Sequence, residues 1–208
     1  MTLGDANRRA VGATPGRVVD ASKFDLAAAE RAARDLLRAI GADLDAPALR
    51  ETPRRVAASF AELVTPADFG ATLFPNEGYD ELVLVRGISF QTLCMHHLLP
   101  FGGEAHVAYL PGETIIGISK LARVVEAFSR DLQLQERMTV QIADWLEREL
   151  APRGVAVVLS AEHTCMTIRG VQARGTTTVT STMRGVLRDD PRSRQEFLAL
   201  TPREARHG

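Results

Sequence analysis

Residues 81–110 read ELVLVRGISFQTLCMHHLLPFGGEAHVAYL. Two β-rich runs, ELVLVRGISF (81–90) and GEAHVAYL (103–110), flank a short stretch that holds one cysteine and two adjacent histidines. Both runs favour branched and aromatic residues over helix formers, so each is expected to be a strand. TIIGI (114–118) adds a short third. Further on, Ser119 is expected to cap a helix over KLARVVEAFSR, and a longer helix is expected from about Gln135 over QERMTVQIADWLEREL, ending before Pro152. GVAVVLSAEHTC (154–165) and TTTVTSTM (176–183) return to strand patterns, and SRQEFLALT closes the chain as a short helix.

Upstream, FDLAAAERAARDLLRAI (24–40) repeats apolar residues at helical spacing, with Ser22 placed to cap it and Gly41 to stop it. A second helix is expected from Thr52 with Pro53 in its first turn. The Pro, Gly and Asn content of residues 65–80 marks a loop. Residues 1–22 show little periodicity and are expected to form a flexible tail ahead of one catalytic domain over 23–208. Helices, then strands, two helices, strands and a helix give no βαβ alternation. The expected fold class is therefore α+β, with a mostly antiparallel sheet.

Composition narrows the function. A hydrophobic content of 45% and a charged content of 25% are those of a globular protein, and no apolar run reaches the ~18 residues of a membrane span. A net charge of −1 provides no overall basic field for nucleic acid, so an anionic ligand has to be met locally. The N-terminus has no apolar secretory core, so a cytoplasmic location and reduced thiols are expected.

The only two cysteines and three of the five histidines lie in Cys94-Met95-His96-His97 and His163-Thr164-Cys165. The gap between Cys94 and His97 lets one turn present both to a metal. In a strand His163 and Cys165 would share a face. Cys94, His97 and Cys165 would form a Cys2His set that leaves the fourth tetrahedral position of zinc open. The residues alone leave other readings standing: a closed site completed by His96 or His163, a disulfide, or buried cysteines unrelated to metal. His96 and His163 are candidates for acid–base work beside such a site. Lys120 and Arg123 share a helix face near a helix start, where free N–H groups favour anions, and Arg169 adds a cation four residues past Cys165. Glu136, beside Gln135, is a carboxylate suited to paired N–H donors such as those of guanine.

Taken together and in this order, TPRRVA (52–57), CMHHLLPFGGEAHVAYLP (94–111), IGISKLARVVEAFSRDLQLQER (116–137), HTCMTIRGV (163–171) and GTTTVTS (175–181) resemble GTP cyclohydrolase I. The resemblance implies a tunnelling fold (T-fold) and a ring-based homodecamer with pockets between subunits. It implies conversion of GTP and water to 7,8-dihydroneopterin triphosphate and formate, opening the route to folate and other pterins. It makes Cys94, His97 and Cys165 the zinc ligands and His96 and His163 the catalytic histidines, with His163 protonating purine N7. It assigns Glu136, with Gln135, to guanine, and Arg55, Ser119, Lys120, Arg123 and Arg169 to the triphosphate and ribose. Met95 stands where the family commonly carries Glu. A related zinc hydrolase or deaminase acting on another purine nucleotide, and a non-catalytic zinc-stabilised assembly protein, are the alternatives.

Overall fold

The computed structural model describes residues 8–10, 16–67 and 70–201. Its centre is a five-stranded sheet in which the two runs around Cys94 are neighbours. The strands are β3 (Val83–Cys94), β4 (Pro100–Leu110), β6 (Leu132–Gln133), β7 (Gly154–His163) and β8 (Thr178–Gly185), in the order β6-β3-β4-β7-β8. All pairings are antiparallel except the two-residue β6, which lies parallel to the end of β3. A bulge between Val85 and Ile88 breaks the β3–β4 register at Gly87, whose φ of +71° suits glycine.

Alternation along β4 and β7 decides which side is the core. Ala105, Val107 and Tyr109 with Val155, Val157 and Leu159 face α3 (Ile118–Ser129) and α4 (Gln135–Leu150). Those helices answer with Leu121, Val124, Val125 and Phe128, and with Met138, Ile142, Trp145 and Leu146. Ala108, Leu110, Ala156, Val158 and Met183 point the other way. There they are covered by Leu187 of α6 (Val186–Asp189) and Phe197 of α7 (Pro191–Leu200). Asp190 starts α7 by accepting from the backbone N–H groups of Arg192 and Ser193.

Upstream, α1 (Leu26–Ala39) and α2 (Thr52–Val64) pack mainly on each other. Asp25, not Ser22, caps α1 by accepting from Ala28 N–H at 2.9 Å, and the chain turns at Gly41 with φ +84°. The loop expected over 65–80 contains a strand, β2 (Gly70–Pro75), which pairs with β5 (Thr114–Ile116) and with β1 (Arg8–Ala10). The turn residues around Ala71–Phe74 masked a short apolar run that is paired only through distant sequence. Ser119 is likewise not a cap: Gly117 holds that position and Ser119 lies in the first turn of α3.

Much of the tail expected over 1–22 lies outside the described residues, but the stretch from Gly16 is fastened. Arg17 donates to the carbonyls of Val64 and Arg130, at 2.6 and 2.8 Å. Val18 and Val19 N–H donate to the Asp131 carboxylate, at 2.8 and 2.9 Å. Asp131 is 1% exposed, so its ionised oxygens need these donors. No helix among the described residues is long and apolar enough to cross a membrane.

Candidate metal centre

Three elements meet at the end of the sheet where β3 finishes. Cys94 is the last residue of β3, and the next residue, Met95, donates its backbone N–H to Gln133 O of β6 at 3.1 Å. The chain then folds back. Cys94 O accepts from His97 N–H and Leu98 N–H, and Cys94 N–H donates to Leu99 O. Leu98 completes the turn at φ +56°, a left-handed conformation that costs a non-glycine residue about 1–2 kcal/mol. Cys165 arrives from β7, though not as a strand residue. The strand ends at His163 and Cys165 sits on a one-turn helix, α5 (Thr164–Thr167), so the same-face argument for His163 and Cys165 does not hold. Thr164 Oγ1 ties that turn to Pro100 O at the start of β4.

The result is a cluster in which Cys94 Sγ, a ring nitrogen of His97 and Cys165 Sγ all lie within 4.8 Å of one another. Cys94 Sγ is 3.8 Å from His97 Nδ1. Both cysteines are free thiols, which removes the disulfide reading. Neither His96 nor His163 belongs to the cluster among the described residues, so the donor set is the open one. Burial and then the adjacent Cys94 thiol push the Cys165 thiol up, with Arg169 pulling slightly the other way. Two neighbouring thiols resist joint ionisation, and a divalent cation between them removes that resistance. Two sulfurs and an imidazole at this spacing fit zinc.

The two remaining histidines differ. His96 is exposed and touches His97 edge to face, with ring centroids 6.2 Å apart. His163 is half-buried and stacks on Phe101 with centroids 4.3 Å apart and planes 9° apart. Phe101 and His163 face each other across the β4–β7 ladder, which explains the contact. Burial pushes the His163 imidazole below its ordinary range, opposed by the charge of Glu136. Its Nε2 lies 2.8 Å from Gln135 Oε1. Gln135 is buried, and its side-chain nitrogen donates to Leu159 O of β7 and Thr178 O of β8. Glu136, the next residue, is exposed. Phe101 is a residue that sequence reasoning missed, and Gln135, named there for guanine, was not tied to His163. An aromatic beside Gly102-Gly103 was a visible hint, whereas the Gln135–His163 pairing carried no local signal.

The expected anion-binding residues are dispersed. Ser119, Lys120 and Arg123 lie in the first turns of α3, which follows β5 and ends at Ser129, just before β6, the strand paired with Leu93 and Cys94. At about 1.5 Å per residue, the 12-residue helix sets its start on the order of 18 Å from its end. Arg123 borders a cavity of about 380 Å³ with Ser89, Gln91, Glu126 and Arg130. Arg55 is exposed on α2, near Glu51. Arg169 stands close enough to the metal cluster for its charge to act on Cys165.

The sequence model of the GTP cyclohydrolase I family matches residues 29–202. The chain belongs to the GTP cyclohydrolase I family. GTP cyclohydrolase 1 of Rhodopirellula baltica is 49% identical over 88% of this chain and 82% of its own length. That of Aquifex aeolicus is 51% identical over 82% and 94%, and that of Deinococcus radiodurans 49% over 80% and 79%. A crystal structure of the apo archaeosine synthase QueF-Like is more distant, 17% identical with a TM-score of 0.41 over 50% of this chain and 93% of that one. The chain is thus an enzyme of this family, with the α+β T-fold expected from its sequence.

Proposed function

We propose that this protein converts GTP and water to 7,8-dihydroneopterin triphosphate and formate, with zinc held by Cys94, His97 and Cys165. The observation that carries this reading is the three-donor cluster with two histidines beside it that are not donors. Bound there, zinc supplies Lewis acidity that brings the pKa of a water towards ~7. The chain supplies the rest. His163, stacked and half-buried, is positioned to give a proton to purine N7 as the imidazole ring opens. Exposed His96 serves the second, formate-releasing hydrolysis. Glu136, at the first turn of α4, accepts the paired N–H donors of guanine, and Arg169 holds the ribose-phosphate end.

Ser119, Lys120, Arg123 and Arg55 complete the triphosphate site from another copy of the chain. Their distance from the cluster within one chain supports pockets shared between subunits of a homo-oligomer, a decamer on the family pattern. The site is cytoplasmic on this reading, where thiols stay reduced. Remote contacts to the triphosphate then hold the purine at the reacting groups.

The test is incubation of the zinc-loaded protein with GTP, with formate measured directly and fluorescent pterin after oxidation. Both in equal amounts are expected. Ammonia without formate would make it a deaminase, and no turnover with zinc bound would leave an assembly protein.

A further inference from the structure

We propose that Gln135 is a positioning residue for His163: its side-chain oxygen accepts the Nε2 proton, holding the neutral ring as the Nε2–H tautomer with its lone pair at Nδ1. That Nδ1 is then the nitrogen exchanging a proton with substrate rests on the function proposed above; the hydrogen-bond assignment does not.

The assignment begins at the other end of the amide. Gln135 is 2% exposed, on the first turn of α4. Its Nε2 lies 3.1 Å from Leu159 O, 2.9 Å from Thr178 O and 3.2 Å from Thr180 Oγ1. Backbone carbonyls can only accept, so the atom facing Leu159 and Thr178 must be the amide nitrogen. Turning the amide over would set its oxygen against two carbonyl oxygens in a buried site and leave all three without a proton. The atom 2.8 Å from His163 Nε2 is therefore the amide oxygen. It carries no proton, so the hydrogen of that bond belongs to the imidazole. His163 Nδ1 has no hydrogen-bond partner among the described residues, so the nitrogen carrying the lone pair is the one left for chemistry.

Two constraints at right angles hold the ring. The Phe101 face, 4.3 Å away and nearly parallel, fixes the plane. Gln135 fixes rotation within it. Phe101 is 1% exposed and is itself braced by Phe90, whose ring meets it at 85°. Gln135 is braced by the backbones of β7 and β8, and Thr139 Oγ1 donates to Gln135 O at 2.7 Å while contacting Thr180 Oγ1. Moving the amide would give up its bonds to Leu159 O and Thr178 O. A helix terminus, two strands and an aromatic pair thus hold one imidazole. Partners of this kind orient a functional histidine and fix which nitrogen carries the proton.

Two readouts test this on the zinc-loaded full chain at pH 8. Long-range ¹H–¹⁵N correlation spectra of protein with ¹⁵N-labelled histidine report the protonated nitrogen, with His163 assigned by the signal missing in His163→Gln. The Nε2–H pattern is expected, and an Nδ1–H pattern overturns the proposal whether or not GTP is turned over. Gln135→Met keeps the length and removes the acceptor. It should admit the Nδ1–H form and lower kcat by about 10–100-fold, with KM for GTP within about threefold and zinc content unchanged. An unchanged kcat overturns the proposal, as does a raised KM at constant kcat, which would make Gln135 a substrate contact. If Gln135→Met does not fold, the wild-type spectrum decides alone. An Nε2–H pattern in a protein that leaves GTP untouched would uphold the positioning of His163 and refute the function proposed above.

Discussion

The two ends of α3 differ in how far the chain satisfies its own chemistry. Past the C-terminal end, Asp131 is buried with its carboxylate bonded to three backbone N–H groups, and Gln133 anchors Met95 beside the cluster. Around the metal, the His163 and Gln135 side chains are likewise committed. At the N-terminal end, Ser119, Lys120 and Arg123 make no side-chain hydrogen bond or ion pair among the described residues, and the same is true of Arg55, Glu136 and Arg169. Of the groups assigned to reaction, His163 is held in place before substrate arrives, whereas exposed His96 only touches His97 edge to face. The groups assigned to recognition are left unpartnered: a polyanion would supply what the cations lack, and paired N–H donors what Glu136 lacks. Preorganisation belongs where charge develops in the transition state, whereas uniform binding asks only for available charge.

The largest effect should come from the fastened side. Cys165→Ser should lose most of the bound zinc and nearly all turnover, measured by elemental analysis and formate release. Full zinc in that variant would remove Cys165 from the donor set. Next, His163→Ala should keep its zinc and lose about 10²–10⁴ in kcat, as for a positioned acid–base group. Loss of metal would make His163 a ligand and the site closed. On the unpartnered side the effects should be smaller and of a different kind. Arg123→Ala should raise the KM for GTP by about 10–100-fold, the worth of a charge-assisted hydrogen bond, and leave discrimination against ATP intact. Glu136→Gln should do the reverse, narrowing the GTP-to-ATP ratio. A fall in kcat alone from Arg123→Ala would erase the contrast between the two ends.

The smallest effect lies away from both. Hydrogen bonds from Ser193 and Arg192 hold the Asp190 carboxyl below its ordinary value. The stabilisation it gives α7 is full above the usual carboxylate range and is lost as pH falls through the depressed value. Asp190→Ala should therefore melt a few degrees lower than wild type at pH 7, and the two melting curves should converge in strong acid with kcat untouched at neutral pH.

Legibility in the sequence follows the range of the interactions. α2 begins at Thr52 with Pro53 in its first turn, and α4 runs from Gln135 to just short of Pro152, as expected, because helix propensity and the placement of proline are local. The Cys94–His97 pair was legible for the same reason, as a tight turn needs only four residues. β2 was hidden because its pairing with Thr114–Ile116 lies about forty residues away, under turn-rich punctuation. Cys165 was assigned correctly to the cluster but on a wrong premise, since the strand ends two residues before it. The pairing of Gln135 with His163 was not legible, because nothing local tells a helix-start glutamine that its carbonyl partners lie 24 and 43 residues on.

The fastening of Arg17, Val18 and Val19 to Arg130 and Asp131 also bears on the order of assembly. Arg17, Val18 and Val19 leave the ribosome early, yet their partners at Arg130 and Asp131 lie 112 or 113 residues later. Those partners immediately precede β6, the two-residue strand that pins Cys94 from behind. Apart from the Arg17 contact to Val64 O, 47 residues on, these bonds have to wait until more than half the chain has been made, and closing a loop of that length is entropically costly. The clasp and the backing of the metal strand therefore become possible at the same point in synthesis, before β7 and α5 bring Cys165 to complete the donor set.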